Sequence, residues 1–296
     1  MSIAVPAREI RHKKGIPSRF GAEVLDKASE AENVNPRQKE CHGVEGEAVI
    51  RCIHGGKNIK AIIVGDSHAM SLVSALQKAL ADPSAGVVSF TYTSCPTVTG
   101  VKMKGLPNLK CAEFNQSVLR EISTEPSSVP VFIANRTSYY IFGSNVSNEI
   151  NFGRPTVYFD SEIEFTTKEF QKKFVANMID MACNFAKIRT TFLIRPIPEM
   201  QVNVPKYAAR RVLFGEVFED ISIGRNEYEN RHRIVKQAQD EAHRLCGVGV
   251  LDPVPYLCNE KICHAIINGR SIYYDSDHLS EYGNGFLVPM FKTILN

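Results

Sequence analysis

The chain has 296 residues, of which 44% are hydrophobic and 23% charged, a composition typical of a globular protein. Its net charge of +3 is too small to indicate nucleic acid as a partner. No apolar run reaches the length of a membrane-spanning helix, and the start of the chain has no apolar stretch of the signal-peptide type. The length is compatible with one large domain or two small ones.

Residues 1–58 are polar, with scattered charges and little periodicity, which predicts a linker followed by a disulfide-pinned extension. Basic residues cluster at the start of this segment. Such a cluster is either a solvated tail or a contact with anionic lipid head groups. The cluster consists of Arg8, Arg11, His12, Lys13, Lys14 and Arg19. We expect the folded domain to occupy residues 59–296.

From residue 60 onward, short apolar runs alternate with segments of helical periodicity. Residues 61–64 are continuously apolar, as in a strand buried on both faces of a parallel sheet, and residues 70–80 show helical spacing. Further strands are predicted at 87–92, 131–134, 191–194 and 248–251. Further helices are predicted at 114–122, 168–186, 229–246 and within 281–295. We expect Thr167 to cap the second of these, Gly247 to end the third, and Pro289 to interrupt the last. This alternation predicts an α/β fold with a parallel sheet covered by helices on both faces.

Six of the eight cysteines fall into three close pairs, each closing a short loop. Such pairs suit disulfides in an oxidising compartment, whereas zinc, the alternative, would need CxxC pairs with matching histidine spacing, which are absent. We therefore favour disulfides and a periplasmic or extracellular location. The missing signal is then explained if the chain is a soluble piece of a larger membrane protein. The pairs are Cys41 with Cys52, Cys95 with Cys111, and Cys258 with Cys263, while Cys183 and Cys246 are either buried thiols or a fourth bridge.

Ser67 follows the first predicted strand and begins the helix behind it. Ligands of open α/β sheets bind beyond the carboxyl ends of the strands, so this serine lies where a substrate would bind. Its own amide, at a helix N-terminus, could stabilise an oxyanion. The alternative is that Ser67 only caps the helix. The tripeptide at residues 65–67 is too common to decide between the two.

Asp275 and His278 lie three residues apart, just before the last predicted helix. A serine nucleophile needs a base, and the base needs a carboxylate that fixes its tautomer, so this short segment can supply both groups. The alternative is a solvated loop in which Ser280 caps the helix. We expect neither a metal nor a cofactor.

Together, these segments resemble the SGNH (GDSL-like) hydrolase superfamily, in which a GDS block opens the domain and a DxxH block closes it. More specifically, and over nearly its whole length, the chain resembles the periplasmic SGNH domains fused behind membrane-bound acyltransferase-3 proteins. The segments that carry the resemblance are GIPSRF at 15–20, IVGDSH at 63–68, SCP at 94–96, CAEFN at 111–115, PIPE at 196–199, LC at 257–258 leading to Cys263, and YDSDHLS at 274–280.

The resemblance implies a flavodoxin-like three-layer fold with a five-stranded parallel sheet in the order 2-1-3-4-5. It implies a catalytic triad of Ser67, Asp275 and His278. It also implies acetyl transfer to a glycan acceptor such as O-antigen or exopolysaccharide, with the acetyl donor delivered by an acyltransferase-3 membrane domain. The protein would then act at the periplasmic face of the inner membrane. A carbohydrate esterase or deacetylase and a non-catalytic glycan-binding domain are the alternatives.

The sequence departs from the superfamily at the oxyanion site. The superfamily donates hydrogen bonds from a glycine after the second strand and an asparagine after the third, whereas this chain has Ser94 at the first place. At the second place we expect Asn135 to donate. Arg136 either binds an anionic group of the substrate or forms a structural ion pair. For His68, which adjoins Ser67, we expect a structural or lining role.

Overall fold

The structure is a computed structural model that describes residues 20–44, 49–147, 149 and 151–295. The basic cluster at residues 8–19 and the GIPSR part of the resemblance lie outside the described residues. The helices are α1 (Ala22–Ser29), α2 (Gln38–Cys41), α3 (Ser67–Ala79), α4 (Cys111–Ile122), α5 (Thr137–Phe142), α6 (Lys168–Ile188), α7 (Val204–Leu213), α8 (Arg225–Cys246), α9 (Val254–Leu257), α10 (Glu281–Gly285) and α11 (Val288–Leu295). The strands are β1 (His42–Gly43), β2 (Cys52–Gly55), β3 (Asn58–Gly65), β4 (Ala85–Tyr92), β5 (Lys102–Met103), β6 (Val131–Ala134), β7 (Val157–Tyr158), β8 (Thr191–Ile194), β9 (Ser222–Gly224), β10 (Gly249–Leu251), β11 (Ile262–His264), β12 (Ile266–Ile267) and β13 (Arg270–Ser271).

The central sheet contains the five predicted strands as β4-β3-β6-β8-β10, all parallel, which confirms the order 2-1-3-4-5. The predicted number of five strands is wrong, because the sheet has seven. Strand β1 pairs in parallel with the carboxyl end of β4, and β2 pairs antiparallel with its first half. These two strands are only 2 and 4 residues long, too short for a clear periodicity in the sequence.

The segment before β3 is therefore more regular than the sequence predicted, since its described residues contain α1, α2, β1 and β2. Their order comes from pairing with the edge of β4 and from the disulfide between Cys41 and Cys52, rather than from local hydrophobic patterning. The division of the chain at residue 58 into an extension and a domain stays a prediction.

Both faces of the sheet are buried, because the side chains of β3 alternate between two hydrophobic clusters. Ile63 packs with the cluster that contains Leu72 of α3 and Phe291 of α11. Val64 packs with the opposite cluster, which contains Val118 of α4 and Phe174 of α6. Complete burial of one such side chain contributes about 1.5–3 kcal/mol, so the apolar run at the centre of the sheet dictates the three-layer arrangement.

The carboxyl-terminal ends of the four long predicted helices agree with the structure to within two residues, whereas α3 and α4 begin three residues, and α8 four residues, before their predicted starts. The hydroxyl of Thr167 accepts a hydrogen bond from the amide of Phe170 and caps α6, and Gly247 ends α8 at a φ of +70°. The last helical segment is interrupted as predicted, with α10 ending at Gly285 and α11 beginning at Val288.

All eight cysteines form disulfides. The three predicted pairs are confirmed. Cys183 in α6 and Cys246 at the end of α8 form the fourth bridge that the sequence left open. Among the helices of the described residues, none combines the length and apolar character needed to cross a bilayer.

Candidate active site

The turn after β3 places Ser67 at the carboxyl edge of the sheet. Gly65 ends the strand at a φ of +149°, and a Cβ atom there would lie 1.9 Å from the carbonyl oxygen of Ala134 at the end of β6. Only glycine allows these two strand ends to approach so closely. Asp66 then caps α3, and Ser67 is the first residue of the helix.

The carboxylate of Asp66 is completely buried and fixes this turn. Its Oδ1 accepts a hydrogen bond of 2.8 Å from the amide of His68. Its Oδ2 accepts hydrogen bonds from the amide of Arg136 at 2.8 Å and from the hydroxyl of Tyr140 at 2.7 Å. Burial and the neighbouring Asp66 raise the pKa of Tyr140, so its hydroxyl stays protonated and donates. Asp66 therefore holds the turn with Ser67 against the segment after β6.

Ser67, His278 and Asp275 form one continuous chain of hydrogen bonds. The Nε2 atom of His278 lies 2.7 Å from Oγ of Ser67, and its Nδ1 atom lies 2.8 Å from Oδ2 of Asp275. Ser67 is half-buried, and the side chains of His278 and Asp275 are 15% and 29% exposed. The two segments that the sequence singled out, 211 residues apart, thus meet in hydrogen-bonding geometry.

The loop that carries His278 is held by its own carboxylate. Oδ1 of Asp275 accepts hydrogen bonds from the amides of Asp277 and His278, at 2.9 and 2.8 Å. The carbonyl of Asp275 accepts a hydrogen bond from the amide of Val204, the first residue of α7. The ring of Tyr274 stacks on the imidazole, with 5.1 Å between ring centroids. These contacts leave the imidazole little freedom to turn away from Ser67.

The electrostatic surroundings of His278 favour its charged form. Burial acts to lower its pKa, but the negative charges of Asp277 and Asp275 outweigh burial and raise the pKa to about 9. The neutral imidazole that can accept a proton from a serine therefore becomes the major form only in alkaline solution.

The side-chain amide of Asn135 forms hydrogen bonds to described residues through its oxygen but not through its nitrogen. Its Oδ1 accepts hydrogen bonds from the amides of Asp66 and Thr97, both at 3.2 Å. Because two backbone N–H groups require an oxygen acceptor, this pairing fixes the orientation of the amide. Its Nδ2 has no hydrogen-bond partner among the described residues and remains available as a donor.

Ser94 follows β4 and adopts a φ of +56°, in the left-handed region that usually requires glycine. Its amide N–H donates to no acceptor in the described part of the chain. Directly after it, the disulfide of Cys95 and Cys111 ties this turn to the start of α4. Ser94 therefore adopts a left-handed backbone conformation although it is not a glycine, and its N–H group has no acceptor among the described residues.

The side chain of Arg136 is held by carboxylates of the protein. Its guanidinium forms ion pairs with Glu199 at 3.1 Å and with Asp277 at 3.3 Å, and Glu199 also binds Arg231 at 2.9 Å. Burial opposes the charges of Arg136 and Glu199, but their mutual attraction keeps the pKa of the guanidinium raised and that of the carboxyl lowered. Of the two roles expected for Arg136, the geometry corresponds to the structural ion pair.

A cleft of about 780 Å³ lies beside the imidazole. It is bounded on one side by α7 and the residues before it, and on the other by the loop at residues 275–278. Its lining includes Arg136, Gln201, Lys206, Tyr207, Asp275 and His278. Its volume is in the range of small-molecule binding sites, and it is connected to the serine through His278, which lines the cleft and lies 2.7 Å from Oγ of Ser67.

Asp277 is the contributor that sequence reasoning missed, since it was assigned no role in the site and a solvated loop was only the alternative considered for its segment. Its side chain is 4% exposed and its Oδ2 lies 3.1 Å from Nε2 of His68. The sequence feature that could have indicated a role for Asp277 is its position as the second aspartate of DSDH, directly before His278. His68, Asp277 and His278 offer ligand atoms within 4.8 Å of one another, as a metal site would. These atoms contact one another in the structure, and the expectation of no metal stays a prediction.

The comparisons with known proteins agree with this architecture. The family model for the SGNH domain that is fused to AT3 domains matches residues 40–293. The periplasmic domain of a lipopolysaccharide acetyltransferase from Salmonella ser. Paratyphi A has a similar structure, with a TM-score of 0.62 and 17% identity over 92% of this chain and 96% of that one. A carbohydrate acetylesterase from Sinorhizobium meliloti is more distant, with a TM-score of 0.43 and 10% identity over 81% and 97% of the two chains. No curated protein matches the sequence.

Proposed function

The chain belongs to the family of SGNH domains that are fused to AT3 domains, and from this premise we propose that it transfers an acetyl group to a hydroxyl group of a cell-surface glycan. The observation that carries the proposal is the hydrogen-bonded chain of Ser67, His278 and Asp275. These three residues are proposed as nucleophile, general base and orienting carboxylate.

In the first half-reaction, Nε2 of His278 takes the proton of the Ser67 hydroxyl while Oγ attacks the carbonyl carbon of the acyl donor. Asp275 stabilises the imidazolium that forms. The bond between the acyl group and its carrier then breaks, and the carrier leaves with the proton from His278. The product is an ester of Ser67.

Three donors at the carboxyl ends of neighbouring strands support the negative charge on the acyl oxygen. The amide of Ser67 is at the N-terminus of α3, where backbone N–H groups lack intrahelical partners. The amide of Ser94, after β4, and Nδ2 of Asn135, after β6, also lack a hydrogen-bond partner in the part of the chain that the structure describes. Preorganised donors of this kind are commonly the largest contribution to acyl-transfer catalysis.

In the second half-reaction, a sugar hydroxyl loses its proton to His278 and attacks the carbonyl carbon of the Ser67 ester. The bond between the acyl group and Oγ of Ser67 then breaks, and Oγ takes the proton back from His278. The cleft beside His278 is the proposed acceptor site, because Tyr207 and Gln201 offer it an aromatic surface and a polar group. We further propose that an acyltransferase-3 membrane domain delivers the acetyl group and that the domain works in the periplasm. The fusion described for the family and the four disulfides support this location.

Hydrolysis is the competing reaction, because water can replace the sugar hydroxyl in the second half-reaction. Ser67 is only half-buried, and its hydrogen-bond partner His278 lines the cleft, which favours access by water. The same residues would then act as a carbohydrate esterase or deacetylase.

The two reactions are distinguished by the product that receives the acetyl group, which is a sugar in transfer and free acetate in hydrolysis. The protein is supplied with an activated acetyl ester, with and without glycan from bacterial surfaces, and acetylated sugar is compared with free acetate. We expect glycan to divert acetyl groups from acetate to sugar. Acetate release that no glycan changes would favour the esterase.

The serine is tested by intact-mass measurement after brief incubation with the acetyl ester. We expect an acyl adduct on the wild-type protein and none on Ser67→Ala, because the alanine has no nucleophile. An identical result for the two proteins would contradict the proposed triad and favour a glycan-binding domain without catalysis.

A further inference from the structure

Two carboxylates, not one, approach Nδ1 of His278. Oδ2 of Asp275 lies 2.8 Å away and Oδ2 of Asp277 lies 3.2 Å away. The first side chain is 29% exposed and the second only 4%. A serine triad needs one carboxylate, so the mechanism above leaves the buried one without a role.

Asp277 is also held by two residues outside its loop and by its neighbour Ser276. Its Oδ2 lies 3.1 Å from Nε2 of His68, the residue directly after Ser67. Its Oδ1 pairs with Arg136 at 3.3 Å and accepts a hydrogen bond of 2.7 Å from the hydroxyl of Ser276. A buried carboxylate with this many partners is costly to remove and cannot turn away.

His68 therefore joins the two motifs. The residue next to the nucleophile contacts the residue next to the base, through one carboxylate oxygen that both imidazoles approach. The two rings lie 4.7 Å apart between centroids. Because α3 is anchored in the core, this contact fixes the position of the loop at residues 275–278 relative to the helix that carries Ser67.

We propose, resting on the proposed function, that Asp277 and His68 act as positioning residues that orient the imidazole of His278 toward Ser67 and stabilise its charged form. Asp277, the more buried of the two carboxylates, would thus act together with Asp275 in orienting and stabilising the imidazole. It would act on the transition state, in which the imidazole carries the proton of the nucleophile.

The charged and titratable groups around the imidazole come from several elements. Asp275, Asp277 and Tyr274 come from its own loop, His68 from α3, and Arg136 from the segment after β6. His42 of β1 contributes little charge, because burial lowers its pKa to about 4. The positive Arg136 opposes the charged imidazole, so the two carboxylates account for the raised pKa of His278.

The first test is a titration of His278 by NMR, without substrate, in the Ser67→Ala protein. We expect a midpoint well above that of an ordinary histidine, and a midpoint lower by at least about one pH unit when Asp277→Asn is added. Asp240→Asn removes an exposed carboxylate on α8 and is the matched control, with an expected shift below about 0.2 unit. An unchanged midpoint in a folded Asp277→Asn protein would overturn the proposal.

The second test is the pH dependence of kcat/KM for acetyl transfer. The rate should rise as His278 loses its proton, and Asp277→Asn should move this rise to lower pH. Its plateau should fall about tenfold, because one of the two carboxylates that support the imidazolium is gone.

His68 provides a variant that leaves both carboxylates in place. His68→Ala should lower kcat about tenfold, and His68→Gln should recover part of it, since its amide can still donate to Asp277. Equal rates for both variants and the wild type would overturn the positioning role. Absence of an acyl adduct on Ser67 would contradict only the proposed function, because the NMR titration needs no turnover.

Discussion

At the residue scale, the site depends on backbone conformations that a pattern of residue types does not reveal. Ser94 occupies the left-handed region at a φ of +56°. A non-glycine residue there costs on the order of 1 kcal/mol and persists where the surroundings demand it. The missing glycine therefore does not mean a missing amide donor, because the serine presents its N–H from the same conformation.

Asn135→Asp is predicted to keep the structural role of this side chain, as an acceptor for two backbone amides, and to remove its proposed role as a donor to the oxyanion. The carboxylate keeps an acceptor for the amides of Asp66 and Thr97, but it loses the Nδ2 donor and brings a negative charge toward the oxyanion. We expect kcat to fall by about 10²–10³, with a thermal midpoint close to the wild-type value. Steady-state kinetics and circular dichroism measure the two quantities.

The matched control is Thr97→Ala, which removes a hydroxyl contact of 3.3 Å to Oδ1 of Asn135 and leaves Nδ2 in place. We expect its kcat to stay within about tenfold of wild type. If Asn135→Asp were as active as Thr97→Ala, the oxyanion role of Asn135 would be ruled out.

At the element scale, the turn after β4 is held by covalent and polar contacts rather than by regular structure. Cys95 is bonded to Cys111 at the start of α4. From the same helix, Nδ2 of the buried Asn115 donates to the carbonyls of Pro96 at 2.9 Å and Val98 at 3.1 Å. Helix α4 thereby determines where the amide of Ser94 lies.

Removing this disulfide by Cys95→Ala with Cys111→Ala is predicted to affect both stability and turnover. The cysteines are 16 residues apart, and closing a loop of that length stabilises the folded state by about 3 kcal/mol. Because the turn also carries Ser94, we expect kcat to fall as well, at a temperature where the variant is folded. Denaturant unfolding and acyl-adduct formation are the measurements.

Cys183→Ala with Cys246→Ala is the comparison for this experiment. These cysteines are 63 residues apart and join α6 to the end of α8, away from the carboxyl edge of the sheet. We expect a larger loss of stability, about 4 kcal/mol, with unchanged kcat. Equal effects of the two pairs on kcat would contradict a role for the turn.

At the scale of the whole molecule, the segment before β3 completes the sheet. Strand β2 covers the first half of β4, and Nε2 of His54 contacts Oγ of Ser89 at 2.9 Å in a buried position. Strand β1 covers the carboxyl end of β4, where His42 contacts the hydroxyl of Thr91. Without these strands, β4 would be an exposed edge that could pair with another molecule.

Two shortened chains test whether residue 58 is a domain boundary. We predict that residues 59–296 have a lower thermal midpoint than the full chain and self-associate, because β4 loses β1 and β2. Residues 20–296 keep both strands and serve as the control, with an expected midpoint close to that of the full chain. Both shortened chains retain only paired cysteines. Equal midpoints measured by thermal melting would support the boundary.

The five central strands, the long helices α3, α4, α6 and α8, and the two motif segments could be predicted because their signals are local. The run at residues 61–64 is apolar on both faces, and the cap at Thr167 and the stop at Gly247 follow from the chemistry of single residues. The short strands β1 and β2 and the helix α7 were not predicted, because their order comes from contacts with β4 and α1.

By itself, the sequence determined the α/β class and which serine, histidine and aspartate to examine, while the order of the five central strands was implied by the resemblance to the SGNH superfamily. Tertiary structure alone decided the bridge of Cys183 to Cys246, the ion pairs of Arg136, the free amides at Ser94 and Asn135, and the buried contact of Asp277 with His68. The physical reason is that periodicity and capping act over a few neighbouring residues. Burial of a charge, and the partner that it then requires, depends on segments that meet only in the folded chain.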